Sequence, residues 1–170
     1  MVLQVSRFER NHPTMTQSLE RVKEIPGFTS HGSALERAEI DLALWEKQDR
    51  GRRLLVSVKW SVRADRERQF NSDFSEYEKA NSGGLFDYVL ITNEFDAARL
   101  YAAANMIYGS GYLFKHVVHV NPEGVLVAYG DEATATPLSE RAGRKSKSLP
   151  ALISDGRLID LWSWLDSVMT

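Results

Sequence analysis

The chain has no cysteine. That absence excludes disulfides, thiolate nucleophiles and cysteine-ligated zinc or iron–sulfur centres. No apolar run approaches the roughly 20 residues needed to cross a bilayer. The opening stretch, "MVLQVSRFERNHP", has no apolar segment of the secretory type. Together these set the expectation of a cytoplasmic protein with no membrane partner. There is no internal repeat and no long linker. Gly83-Gly84 is not followed by Gly-Lys-Ser/Thr, so it reads as a helix end rather than a phosphate loop. His116 and His119 are three apart in a strand-like run, which puts them on opposite sides and makes them a poor metal pair. His12 and His31 stand in loop-like sequence without partner signals.

What is present is the composition of a folded protein. The chain is 170 residues long, 43% hydrophobic and 26% charged, which suits one domain, 1–170, with a substantial core. The net charge of −2 carries no bulk signature of a nucleic-acid binder, but the local distribution is uneven. Between Trp45 and Phe70 there are eight basic residues and four acidic ones. A second basic tract, Arg141, Arg144, Lys145 and Lys147, reads either as a phosphate contact or as a solvated loop.

Periodicity orders the segments. "PTMTQSLERVKEI" places Met15, Leu19 and Val22 on one helical face, with Glu20 and Glu24 opposite, and Pro26 stops it. "AEIDLALW" (38–45) and "LLVSVKW" (54–60) read as strands joined by a charged turn containing Gly51, an antiparallel hairpin. Residues 65–81 are helix-compatible, "FDYVLITN" is a buried strand, and "EFDAARLYAAANMIY" is helical to Gly109. "YLFKHVVHV" and the stretch 124–129 read as two further strands. In the last segment Leu158, Leu161, Trp162 and Leu165 follow helical spacing, so Trp162 is expected in the core and Trp164 off the stripe. The expected fold class is α/β, a mixed central sheet flanked by helices.

The chemistry lies in the hairpin. Period two puts Ile40, Leu42 and Leu44 on one face of the first strand and Glu39, Asp41 and Ala43 on the other. In the second strand Val56, Val58 and Trp60 share one face, and Ser57 and Lys59 the other. Paired strands therefore bring Asp41 and Lys59 together at one end of the sheet. A carboxylate beside an ammonium suits phosphodiester cleavage, the one as an oxygen ligand for Mg²⁺ and the other to position water. The plainer alternative is a salt bridge on a half-buried sheet face. Downstream, "KWSVRADR" sets Arg63, Asp65 and Arg66 at the start of the next helix. An arginine fork matches O6 and N7 of guanine, and a carboxylate can accept from N4 of cytosine. Here the alternative is a helix N-terminal cluster held by its own ion pairs.

Taken together, Ser57-Val58-Lys59, Arg63-x-Asp65-Arg66 and Asp73, fourteen positions after Lys59, resemble one known pattern. They look like the CCGG-recognising branch of type II restriction endonucleases in the PD-(D/E)XK superfamily. There the strand reads Ser-x-Lys, a carboxylate is displaced onto the following helix, and an Arg-x-Asp-Arg block reads bases. The resemblance runs from about residue 38 to 120. It implies a restriction-endonuclease-like fold and Mg²⁺ as cofactor. It also implies Asp41, Ser57, Lys59 and Asp73 as catalytic residues, and Arg63, Asp65 and Arg66 as the DNA-binding set. Asp73 stands where the family usually has glutamate. An additional metal-site glutamate from an upstream helix is implied as well. Glu20, Glu24 and Glu36 are the candidates, and Glu20 is preferred because it falls near the middle of the first expected helix.

Three functions then compete. The first is a Mg²⁺-dependent, site-specific endonuclease acting on double-stranded DNA as a homodimer or higher homo-oligomer, since a palindromic site matches two-fold symmetry. The second is a repair or junction-cutting nuclease that keeps Asp41 and Lys59 but reads no bases with the arginine block. The third is a non-catalytic DNA-binding domain on the same fold.

Overall fold

The computed structural model describes residues 3–5, 20–21, 28, 39–46, 52–63, 65–81, 85–130 and 149–169. Its centre is a six-stranded sheet in the order β1 (Leu3–Val5), β4 (Leu42–Glu46), β5 (Arg52–Lys59), β6 (Leu85–Thr92), β9 (His116–His119), β10 (Leu158–Asp160). The strands β5, β6, β9 and β10 run parallel, while β4 is antiparallel to both β1 and β5. Two small ladders flank it: β2 (Glu20–Arg21) with β3 (Glu39–Ile40), and β7 (Ile107–Tyr108) with β8 (Gly111–Tyr112). The molecule is thus α/β with a mixed central sheet, and helices cover both of its faces.

One face is packed by α1 (Arg66–Ala80), α2 (Ala97–Ala104) and α4 (Leu149–Ser154). Ala43, Leu55, Tyr88, Leu90, Val117 and Leu158 from the strands meet Phe70, Tyr77, Leu100 and Leu152 from these helices. The other face carries α5 (Leu161–Met169), whose Trp164 and Val168 pack on Leu44, Val56, Val89 and Val118. Because β6 is covered on both sides, its centre is an unbroken buried run from Tyr88 to Leu90.

The hairpin of β4 and β5 forms as its alternation predicts, with Leu42 opposite Val56 and Leu44 opposite Leu54. The first strand, however, is broken by a bend at Asp41. The bend reverses the alternation, so Ile40 joins the core face of Ala43 and Leu55 rather than that of Leu42 and Leu44. The helix expected around Glu20 is also replaced. Glu20 and Arg21 form β2, where Glu20 is opposite Ile40. An available strand edge at β3 overrides a modest helical spacing there. Met15, Leu19, Val22, Glu24, Glu36, His12, His31, Gly51, Gly83, Gly84 and the basic tract Arg141–Lys147 lie outside the described residues.

Three further segments differ from expectation. Residues 124–129 are not a strand but part of α3 (Pro122–Gly130). Asn121 caps it by accepting the Gly124 N–H at 2.8 Å, and Pro122 takes the first helical position, where its missing N–H costs nothing. The alanine-rich helix stops at Ala104 rather than Gly109, and Gly109, with φ 59°, turns the β7–β8 hairpin. Leu158 belongs to β10, so the last helix begins only at Leu161 and its apolar face is Leu161, Trp164, Leu165 and Val168. Trp164 is 3% exposed and Trp162 71%, the reverse of the sequence expectation.

That reversal has a measurable consequence. Trp164→Ala is expected to lower unfolding stability by about 3–5 kcal/mol, as for a buried tryptophan. Trp162→Ala should stay within about 0.5 kcal/mol of wild type, as for a surface site. Urea denaturation of the two variants checks the assignment, and equal losses would contradict it.

Candidate active site

The site lies at the C-terminal end of β5, where the sheet face under α1 meets the bend at Asp41. Extending the β4–β5 register by two places would set Ile40 opposite Val58. The bend removes that backbone partner, and the Asp41 side chain replaces it. Its Oδ2 accepts the Val58 N–H at 2.7 Å, the Lys59 ammonium at 2.6 Å and the Ser57 hydroxyl at 3.3 Å. All three donors converge on one oxygen, and Oδ1 receives none of them. Ser57 is buried, and the Asp41 and Lys59 side chains are only 15% and 23% exposed. Charge-assisted bonds to a poorly solvated carboxylate are the strong kind, so the lysine's head group is held in place rather than waving in water.

Asp73 arrives from α1. Phe70, Asp73, Phe74 and Tyr77 follow the spacing i, i+3, i+4, i+7, so Asp73 occupies the stripe that α1 turns toward the sheet. Phe70 and Tyr77 are buried, and Phe74 packs against Phe86, Tyr88 and Tyr108. A carboxylate in that stripe loses water. Burial pushes the Asp73 carboxyl above its ordinary range; Lys59 pulls it back, Asp41 adds to the rise, and Arg66 opposes it. Asp73 therefore shares one electrostatic neighbourhood with Asp41 and Lys59. The phenols of Tyr77 and Tyr88 are pushed up chiefly by burial, with the Asp73 charge contributing to both. They stay protonated beside it. Neither tyrosine was singled out by the sequence, although Tyr77 stands one helical turn beyond Asp73.

Arg63, Asp65 and Arg66 follow within a few residues of Lys59. Arg63 and Asp65 form an ion pair of 3.5 Å, with side chains 66% and 67% exposed. A pair that open to solvent holds its members weakly. Asp65 precedes α1 without capping it by its side chain, and Arg66 donates to Gln69 at 3.3 Å. Arg63 and Asp65 are thus presented to solvent, while Arg66, half-buried, is close enough to Asp73 to oppose its raised carboxyl.

Glu94 is a residue that sequence reasoning missed, having read it as the start of a helix. It is 5% exposed and lies between β6 and α2. Its Oε2 accepts the Val62 N–H at 2.9 Å, and its Oε1 the Asp96 N–H at 2.9 Å. The available signal was the polar break "TNEFD" after an apolar strand, ending in Asp96, which caps α2 through the N–H groups of Ala98 and Arg99.

Asp41 and Asp73 offer hard oxygen donors of the kind Mg²⁺ takes, and one or two carboxylates with water are its usual protein share. The mutual repulsion of two half-buried carboxylates is what a divalent cation relieves. Glu20, the third expected ligand, lies in β2 opposite Ile40, the residue before Asp41, so its backbone is near the bend. Among the described residues there is no cluster of three acidic or histidine side chains. His116 and His119 are engaged elsewhere: His116 Nδ1 contacts Gly156 O at 2.8 Å, and His119 contacts the Glu94 carbonyl at 2.9 Å. Among the described residues no helix is long and apolar enough to cross a membrane.

No family model matches the chain, and searches of the curated proteins and of the solved structures return no match.

The raised carboxyl of Asp73 fixes the sign of a pH effect. A folded-state value above the ordinary 3.8 means that the folded chain binds this proton more tightly than the unfolded chain. The stabilising contribution is complete below 3.8 and is lost as pH rises through the raised value. At pH 7 the ionised group therefore costs stability. Asp73→Asn is expected to melt higher than wild type at pH 7, with the gap closing as pH falls below 4. A variant that melts lower at pH 7 would contradict the burial of this charge.

Proposed function

We propose that this protein is a Mg²⁺-dependent, sequence-specific endonuclease that hydrolyses phosphodiester bonds in double-stranded DNA at a G·C-rich site containing CCGG. The observation that carries the reading is the convergence of Ser57, Val58 and Lys59 on one oxygen of Asp41, with Asp73 on the facing helix stripe. A lysine held by one carboxylate, with a second close enough to feel both charges, is the arrangement expected of the PD-(D/E)XK fold, to which we assign the chain. The sheet order supports it: a β-meander ending in β5, a helix, and then β6 added parallel to β5.

In this reading Asp41 and Asp73 hold the metal, with Glu20 as a further ligand. When bound, Mg²⁺ supplies charge for the phosphoryl oxygens and lowers the pKa of water. The chain's own residues do the rest. Lys59, tethered to Asp41, faces the scissile phosphate, and its ammonium orients the attacking water. Ser57 steadies Asp41 through its hydroxyl. Water adds to phosphorus and gives up a proton to bulk solvent as the bond from phosphorus to the leaving sugar oxygen breaks, and that oxygen takes a proton back from solvent. Arg63 and Arg66 donate to guanine edges in the major groove, and Asp65 accepts from cytosine. Two copies acting as a homodimer or higher oligomer would address a palindromic site symmetrically.

Two substitutions separate the roles. Lys59→Ala is expected to abolish Mg²⁺-dependent cutting of plasmid DNA while sparing duplex binding in a gel-shift assay; persistent cutting would remove Lys59 from the catalytic set. Arg66→Ala is expected to cost about 1–3 kcal/mol on the preferred duplex and little on others. Equal weakening on every sequence would make it a phosphate contact. Cuts scattered over DNA by the wild type would favour a repair-type nuclease.

A further inference from the structure

Between the catalytic lysine and the first reading arginine lie only Trp60, Ser61 and Val62. Any slack in these three residues would uncouple the bond to be cut from the bases to be read. The structure ties them to the segment after β6. Asn93 N–H donates to the Trp60 carbonyl at 3.2 Å, and the buried Thr92 hydroxyl reaches the same carbonyl at 3.4 Å. The Val62 N–H, adjacent to Arg63, is taken by Glu94 Oε2 at 2.9 Å.

Glu94 is itself held from several sides. Its N–H donates to Thr92 Oγ1 at 3.1 Å, its Oε1 accepts the Asp96 N–H, and Arg99 Nη1 is 3.4 Å from Oε2. Its carbonyl accepts from His119, a fully buried imidazole at the end of β9. Asn121 N–H donates to Nδ1 of that ring, so the proton resides on Nε2 and points at Glu94. Burial holds this histidine below its ordinary range, toward the neutral form that accepts from Asn121. A buried carboxylate with this many fixed partners is rigid, and its outward use is one backbone N–H beside the arginine block.

We propose that Glu94 is the positioning residue for base recognition: it fixes Val62 and so sets the register between Lys59 and Arg63-x-Asp65-Arg66. This rests on the endonuclease reading above. Glu94 touches neither the reacting atoms nor the bases; it acts through the backbone that carries the arginines. Glu94→Gln keeps the shape, but puts an amide in place of one accepting oxygen and removes the charge facing Arg99.

The test compares wild type with Glu94→Gln for binding, by fluorescence anisotropy in Ca²⁺, to a duplex carrying the site mapped by cleavage and to one lacking it. Amide exchange at Val62 is followed by NMR. The expected result is faster Val62 exchange and about a tenfold weaker hold on the site, comparable to one lost base contact, with no change on the other duplex. Equal weakening on both duplexes, or no change on either while wild type discriminates, overturns the role of Glu94 alone. Wild type that holds both duplexes equally sinks the endonuclease reading instead, a separate failure. If Glu94→Gln does not fold, Thr92→Val cuts the same tether at its other end, with the same expected loss of discrimination and the same overturning results.

Discussion

Everything at this site depends on the Asp41 carboxylate standing in for a backbone carbonyl. The sheet could have continued β4 through residue 40, pairing Val58 in the ordinary way. Instead the chain bends at Asp41, and a side-chain oxygen takes the Val58 N–H at 2.7 Å. That exchange has two effects. It frees Glu39 and Ile40 to pair with Glu20 and Arg21 in a second ladder. It also brings a negative charge into the position where Lys59 ends its strand, 2.6 Å away. The carboxylate is therefore held by a backbone hydrogen bond as well as by the attraction between charges.

The opposing wall is built on a different principle. Asp73 is in the stripe by which α1 packs on the sheet, among Phe70, Phe74 and Tyr77, and its ionised form is disfavoured there. Aromatic packing between Tyr77, Tyr88, Phe74 and Phe114 keeps the helix seated, which keeps the carboxylate seated. A charge disfavoured by burial and held there by a well-packed core is stability given up locally. On the far side, the loop leaving β5 is pinned by Thr92 and Glu94, so Lys59 and the arginine block are joined by a fixed stretch of backbone. The sheet edge thus carries two layers: a part-buried polar one, to which we assign cutting, and a more exposed charged one, to which we assign base reading.

Much of this was legible in the residues. Strict alternation through 54–60 placed Ser57 and Lys59 on one face and made the hairpin with β4 the economical partner. The register carried Asp41 toward the end of β5, and the bend there, which the alternation did not announce, put its carboxylate on Lys59. The spacing of Phe70, Tyr77 and Asp73 held the information that Asp73 faces the sheet, because helical period alone fixes that geometry. What could not be read were choices made by tertiary competition. The strand at Glu20 exists because β3 offers an edge. The helix at 122–130 hides in a β-looking apolar run, and only the Asn121–Pro122 start betrays it. Trp164, rather than Trp162, is buried because β10 takes Leu158 and resets the phase of the helix that follows. Glu94 escaped notice because a carboxylate between a strand and a helix cap looks like surface until its backbone partners are seen.

We propose that Asp41, Ser57, Lys59 and Asp73 cut next to the bases that Arg63, Asp65 and Arg66 read. The measurement that meets it most directly is sequencing the ends released when purified protein digests genomic DNA in Mg²⁺. The ends are expected to fall at one short, two-fold symmetric motif with a G·C core and at a constant offset between strands. Ends scattered without a shared motif, or no ends at all, would contradict it.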